Sequence, residues 1–118
     1  GVAAYRAHDA DMVVAIGGGS PIDAAKVIAV AHRNPGNLEQ FQGYHRIAEA
    51  GPPVIAVPTT AGTGSEATKV AVITDTTRDV KMMMLDAHLM PRAAFVDFEL
   101  SMSMPRSLTA HVGVDTLT

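Results

Sequence analysis

Three consecutive glycines, Gly17-Gly18-Gly19, separate a short apolar run from a helix-forming stretch, and no other feature restricts the chain so tightly. The run before them, Met12-Val13-Val14-Ala15-Ile16, is rich in β-branched residues and does not alternate. That predicts a strand buried on both faces, as in a parallel sheet. Behind the glycines Ser20 is the expected N-cap, Pro21 suits the first helical position, and Asp23 stands where the acid of a capping box would. The helix is expected to run through Ala24, Val27 and Ile28 to about His32, apolar on most sides, and to stop at Asn34-Pro35-Gly36-Asn37. Glycine lets the backbone approach a ligand closely, and a helix start offers unpaired N–H groups and a partial positive charge. Strand, glycines and helix start together form a phosphate-binding candidate. The plainer alternative is a tight turn with no ligand. The segment is neither a Walker loop nor a G-x-G-x-x-G fingerprint.

Downstream, the stretch from Leu38 to Gly51 is polar and weakly patterned, and reads as a surface connection with room for one helical turn. Pro53-Val54-Ile55-Ala56-Val57-Pro58 predicts a second buried strand, followed by the loop Thr59-Thr60-Ala61-Gly62-Thr63-Gly64-Ser65-Glu66. Ligands of open α/β sheets gather after such strands. The hydroxyls of Thr59, Thr60, Thr63 and Ser65 can donate to and accept from phosphate or ribose oxygens. Alone, the loop reads equally as an ordinary Thr/Ser-rich connection. Val70–Thr74 and Val80–Leu85 predict a hairpin across the turn Asp75–Asp79, and Ala94–Asp97 a further strand. Ser103 is the expected cap of a helix from about Met104 to Val112, with Gly113 ending it. The residues at the front, 3–8, fit a helix tail. Strand, helix, strand, loop, hairpin, strand, helix is an α/β order: a Rossmann-like nucleotide-binding domain with a mostly parallel sheet plus a β-hairpin, incomplete at both ends.

Composition narrows the function classes. A chain of 118 residues is one small domain, and 47% hydrophobic with 18% charged residues is a globular balance. The net charge of −3 gives no basic surplus for nucleic acid, and no apolar run reaches the ~18–20 residues that cross a bilayer. The chain has no cysteine, so disulfides, thiolate metal sites and Cys nucleophiles are excluded, and a cytoplasmic location fits.

Taken together, Ala15-Ile16-Gly17-Gly18-Gly19-Ser20-Pro21-x-Asp23-x-x-Lys26, then Pro58-Thr59-Thr60-Ala61-Gly62-Thr63-Gly64-Ser65-Glu66, then Gly113-Val114-Asp115-Thr116-Leu117-Thr118, resemble the iron-containing alcohol dehydrogenases. The Thr-Thr-Ala-Gly-Thr version is closer to these than to the related glycerol dehydrogenases and dehydroquinate synthases. The resemblance implies an oxidoreductase that moves a hydride between NAD or NADP and a small alcohol or aldehyde, with Fe²⁺ or Zn²⁺ as Lewis acid. It implies that Gly18, Gly19 and Ser20 hold the cofactor pyrophosphate. Asp23 would lie near the nicotinamide ribose, act as the capping acid, or do both. Thr59, Thr60 and Thr63 would line the adenosine and phosphate side. Lys81 would reach the ribose, its alternative being a solvated strand lysine. Asp115 matches the first ligand of the metal, and none of the five histidines matches another. His8, His32 and His45 read as surface residues; His88 and His111 read as packing groups or groups behind the ligands. No residue here is expected to be catalytic in its own right.

On that resemblance residues 1–112 are part of a dinucleotide-binding domain, and 113–118 begin a metal-binding helical domain. Both ends read as cuts through a longer protein that forms homo-oligomers, and the 118-residue piece alone is expected to be inactive. Other readings are a superfamily relative with a different reaction, a non-catalytic nucleotide-binding module, and a gene fragment.

Overall fold

The computed structural model describes residues 1–117, and Thr118 lies outside them. A short helix α1 (Val2–Ala7) leads into strand β1 (Val13–Gly17), and the glycines turn the chain directly into α2 (Gly19–Arg33). Strands β2 (Gly43–Tyr44), β3 (Val54–Pro58), β4 (Val70–Asp75), β5 (Val80–Leu85) and β6 (Ala93–Ala94) follow, and α3 (Arg106–Asp115) closes the chain. The strands form two sheets. One is parallel in the order β1-β3-β6, with Val13 opposite Val54 and Gly17 opposite Pro58. The other has the order β2-β5-β4; β4 and β5 make the expected antiparallel hairpin, and β2 lies parallel to β5.

Helix α2 lies between the two sheets, which explains why its sequence is apolar on most sides. One large and two small residues meet the parallel sheet: Ile22, Ala25 and Ala29 pack with Ala15, Val54 and Ala56. The opposite side carries Val27 and Val30, which join Phe41, Ile47, Ala71, Met82, Met84 and Leu89. Each fully buried side chain of this size stabilises by about 1.5–3 kcal/mol. Phe41 and Ile47 come from the stretch read as a surface connection. Their burial corrects that reading: the segment folds as a one-turn 3-10 helix (Leu38–Phe41) and then β2, and it roofs the second core. The buried Asp86 carboxylate fixes this roof by accepting from the Ile47 N–H at 3.1 Å.

Five further expectations are corrected. The strand β1 is not buried on both faces, because α2 covers one side and no described element covers the other; Val14 and Ile16 are exposed. Gly18, not Ser20, is the N-cap of α2, and no side chain caps it. The last strand is only Ala93–Ala94, because Asp97 accepts the Glu99 N–H at 3.0 Å and turns the chain into a 3-10 helix (Phe98–Ser101). Pro105, not Ser103, caps α3, and Gly113 does not end it. Gly113 lacks the positive φ of a helix-terminating glycine, so the helix continues to Asp115. The expected domain boundary between 112 and 113 thus falls inside one helix. No helix among the described residues is long and apolar enough to cross a membrane.

Truncating Phe41 to Ala should destabilise the fold by about 3–5 kcal/mol, the cost of a buried aromatic cavity, read from urea unfolding midpoints. A change no larger than that of an exposed substitution would show that 38–47 is not part of the core. The hairpin turn supplies a pH test. Asp75 accepts from the Thr77 hydroxyl at 2.6 Å, the Arg78 guanidinium at 2.7 Å and the Thr77 N–H at 2.9 Å, which holds its pKa at about 2. A depressed carboxylate stabilises above its unfolded pKa and loses that contribution as pH falls through the folded one. The Thr77 amide resonance should therefore shift with a midpoint near 2, below the ordinary 3.8. In Asp75→Asn the transition should vanish.

Candidate functional site

Both glycine-rich turns emerge at the carboxyl ends of neighbouring parallel strands, Gly17-Gly18-Gly19 after β1 and Thr59–Ser65 after β3. The Thr59 N–H donates to the Gly17 carbonyl at 2.9 Å and ties the turns together at their base. Above this bond they touch directly. A Cβ on Gly18 would come 3.1 Å from Thr60 Cγ2, and one on Gly19 would come 3.1 Å from Ser65 Oγ and 3.2 Å from the Thr63 Cβ. A side chain at Gly18 or Gly19 would sit tight against the other turn, so bare glycine eases their approach, and the uncapped start of α2 stays open to a ligand.

A cleft of about 400 Å³ opens beside these turns. Its lining unites Gly19, Ser20, Asp23, Thr63, Lys81 and Asp115, residues that the sequence singled out and that lie up to 96 positions apart (115 − 19 = 96). Ser65, Val72 and Thr74 complete it. The last two were missed, because the exposed face of the hairpin is placed beside α2 by tertiary packing alone. Gly18 lies behind the cleft against Thr60. Thr60 lines a separate cavity of about 260 Å³ with Gly62, Glu66, Asp97 and Ser101, and Thr59 lines neither. The Oγ1 of Thr60 and Oε2 of Glu66 are buried there without a hydrogen-bond partner among the described residues. A larger cavity, about 580 Å³, sits at the opposite end of β3 near Pro53, His88 and Arg92, away from both turns.

Asp23 is not the acid of a capping box. Its Oδ2 accepts from the Val72 N–H at 2.9 Å, and its Oδ1 pairs with Lys26 Nζ at 3.4 Å. Lys26 is fully buried and also donates to the carbonyls of Thr68 at 3.0 Å and Val70 at 2.8 Å. Burial pushes its ammonium pKa below the ordinary lysine value, and Asp23 and Glu66 pull it partly back. The sequence showed Lys26 only as a motif position. A lysine on a helix face otherwise built of apolar residues was the signal for this buried contact.

Lys81 is exposed on the cleft side of β5, opposite Thr74. Asp115 reaches the cleft from the last turn of α3. That helix is seated on the second turn: Gly62 has φ 142°, and a Cβ there would collide with the Val112 carbonyl and lie 2.8 Å from Thr116 Oγ1. His88 Nδ1 pairs with Asp86 at 2.9 Å near the opposite end of the sheet, and His111 is exposed rather than packed. His32 stacks on Tyr5 at 4.7 Å, half-buried rather than on the surface. Of the expected metal-binding tail, Gly113–Leu117 is described and Thr118 lies outside the described residues.

The model of the family described as iron-containing alcohol dehydrogenase matches residues 1–98. Across the whole chain the sequence is 43% identical to the NAD-dependent methanol dehydrogenase of Bacillus methanolicus, of which it spans 31%. The fold is similar to the crystal structure of a 1,3-propanediol oxidoreductase, with TM-score 0.93 and 38% identity, over 99% of this chain and 31% of that one. It is also similar to a sulfoacetaldehyde reductase from Bifidobacterium kashiwanohense in complex with NAD⁺, with TM-score 0.83 and 36% identity, over 97% and 31%.

Replacing Gly62 with Ala should force α3 off the second turn and move Asp115. Deuterium uptake in 106–115 should rise while that of α2 stays unchanged. Unaltered protection of α3 would show that the Gly62–Val112 approach does not seat it.

Proposed function

The chain belongs to the iron-containing alcohol dehydrogenase family, and we propose that it forms the dinucleotide cleft of an oxidoreductase moving a hydride between NAD or NADP and a small alcohol or aldehyde. It spans about 31% of the relatives it matches, so the activity is that of a longer protein. The observation that supports this reading is the single cleft joining Gly19, Ser20, Asp23, Thr63, Lys81 and Asp115 at the carboxyl ends of parallel strands.

The residues present fit a dinucleotide. The start of α2 and the bare Gly18 and Gly19 leave backbone N–H groups for a pyrophosphate, and the Ser20 and Thr63 hydroxyls add donors. Of the three threonines expected on the adenosine and phosphate side, Thr63 lines this cleft and Thr59 and Thr60 do not. Lys81 brings an ammonium to the ribose or phosphates. The Asp23 carboxylate, already anchored by Val72 and Lys26, accepts from a ribose hydroxyl. The bound nicotinamide supplies the hydride acceptor or donor, while the chain binds and orients it.

A metal is different. Among the described residues no three His, Cys, Asp or Glu side chains converge. They do not make a metal centre, since a divalent ion needs several converging ligands. We assign Asp115 as one oxygen ligand of Fe²⁺ or Zn²⁺, with the other donors coming from outside the described residues.

Gly19→Val should push into Thr63 and Ser65 and weaken NADH or NADPH binding at least tenfold, measured by nucleotide fluorescence on the full-length protein carrying this chain. Retained affinity would remove the first turn from the site. That protein, loaded with Fe²⁺ or Zn²⁺, should oxidise short alcohols with NAD or NADP, and the 118-residue chain alone should not. Failure with every short alcohol and aldehyde would overturn the assigned reaction.

A further inference from the structure

We propose that Lys26 is a positioning residue for the dinucleotide cleft: its buried ammonium, acting with Asp23, locks the first-turn helix to the strand that leaves the second turn. The inference rests on the cleft being the dinucleotide site. Lys26 itself lines no part of that cleft, so its effect passes through what it holds.

The geometry is specific. In its sheet β4 pairs with β5 alone, so its other side is an edge with unpaired backbone groups. That edge faces α2. In an extended strand the carbonyl of one residue and the N–H two residues on lie along the same edge. Here these are the Val70 carbonyl and the Val72 N–H. A single i, i+3 pair on α2 satisfies both with the correct polarity: the Lys26 ammonium takes the Val70 carbonyl at 2.8 Å, and the Asp23 carboxylate takes the Val72 N–H at 2.9 Å. The third Lys26 proton reaches the Thr68 carbonyl at 3.0 Å, directly after the 3-10 turn Ser65–Ala67 that finishes the second glycine-rich loop. One side chain thus fixes α2, whose first turn is the phosphate candidate, against both the exit of the other loop and the start of the strand carrying Val72 and Thr74.

A second consequence is electrostatic. Asp23 puts a carboxylate into a cleft assigned to an anionic ligand. Lys26 directly behind it offsets that charge where solvent does not reach. Without the ammonium, Asp23 would keep only the Val72 N–H, and its charge in the cleft would oppose a pyrophosphate without an offset from behind.

The test uses the full-length protein carrying this chain, titrated with NADH and NADPH by fluorescence, with stoichiometry and dissociation constant fitted separately. Lys26→Met keeps the length of the stem and removes the charge. We expect its dissociation constant to rise at least tenfold for molecules that remain folded, by circular dichroism at the titration temperature. A merely structural lysine would instead lower the number of binding sites or the melting temperature and leave the affinity of the remaining sites unchanged, and that result overturns the proposal. If Lys26→Met is insoluble, Lys26→Gln, which keeps two N–H donors, is read by the same criterion: a loss of affinity of threefold or more supports the clamp, and wild-type affinity overturns it. Failure of the wild-type protein to bind either nucleotide would instead refute the cleft assignment itself.

Discussion

Helix α2 can be buried between two sheets only because its polar positions answer the one backbone edge it meets. The side toward β1 and β3 is built of Ile22, Ala25 and Ala29, which pack with Ala15, Val54 and Ala56. The side toward the hairpin mixes Val27 and Val30 with Asp23 and Lys26. An all-apolar face there would leave a part-buried carbonyl and N–H on the edge of β4 unpaired. A charged face without that edge would leave a fully buried ammonium unsatisfied. Strand edge and ion pair are each tolerable only in the presence of the other. This mutual requirement holds the hairpin against the helix beside the cleft.

The cleft follows from that arrangement. Parallel pairing of β1 and β3 brings both glycine-rich turns to one end of the sheet. The hairpin, held by Lys26, contributes Val72, Thr74 and Lys81 as one wall. Helix α3, seated on Gly62, contributes Asp115 as another. No element forms the site by itself, and each reaches it through a contact made elsewhere.

Local chemistry was legible where it is written in consecutive residues. Gly17-Gly18-Gly19 before a helix, the hairpin on either side of Asp75–Asp79, and the second turn after β3 needed only short-range rules. What escaped the sequence was set by partners distant in the chain. Asp23 has the spacing of a capping acid, but a strand N–H 49 residues away outcompetes its own helix start. Phe41 and Ile47 lie in a polar stretch, and only the β2–β5 pairing shows that they turn inward. The β1 run reads as buried on both faces because its composition is that of a doubly covered strand, yet this chain covers only one face. Gly113 looked like a stop signal because glycine often ends helices, but it does so through a positive φ that it does not adopt here.

Charge is distributed unevenly over the cleft. The start of α2 and Lys81 give it two positive features, one a backbone dipole and one a side chain. Against them stand two carboxylates that differ in kind. Asp23 is anchored on both oxygens, and its charge is offset from behind by Lys26, so it presents an oriented acceptor more than a net negative charge. Asp115 is exposed near the end of α3. A ligand with a doubly charged pyrophosphate would be drawn toward the lining groups Gly19, Ser20 and Lys81. The oriented N–H groups of α2 and Lys81 thus share the cleft with an Asp23 whose charge the buried Lys26 offsets from behind.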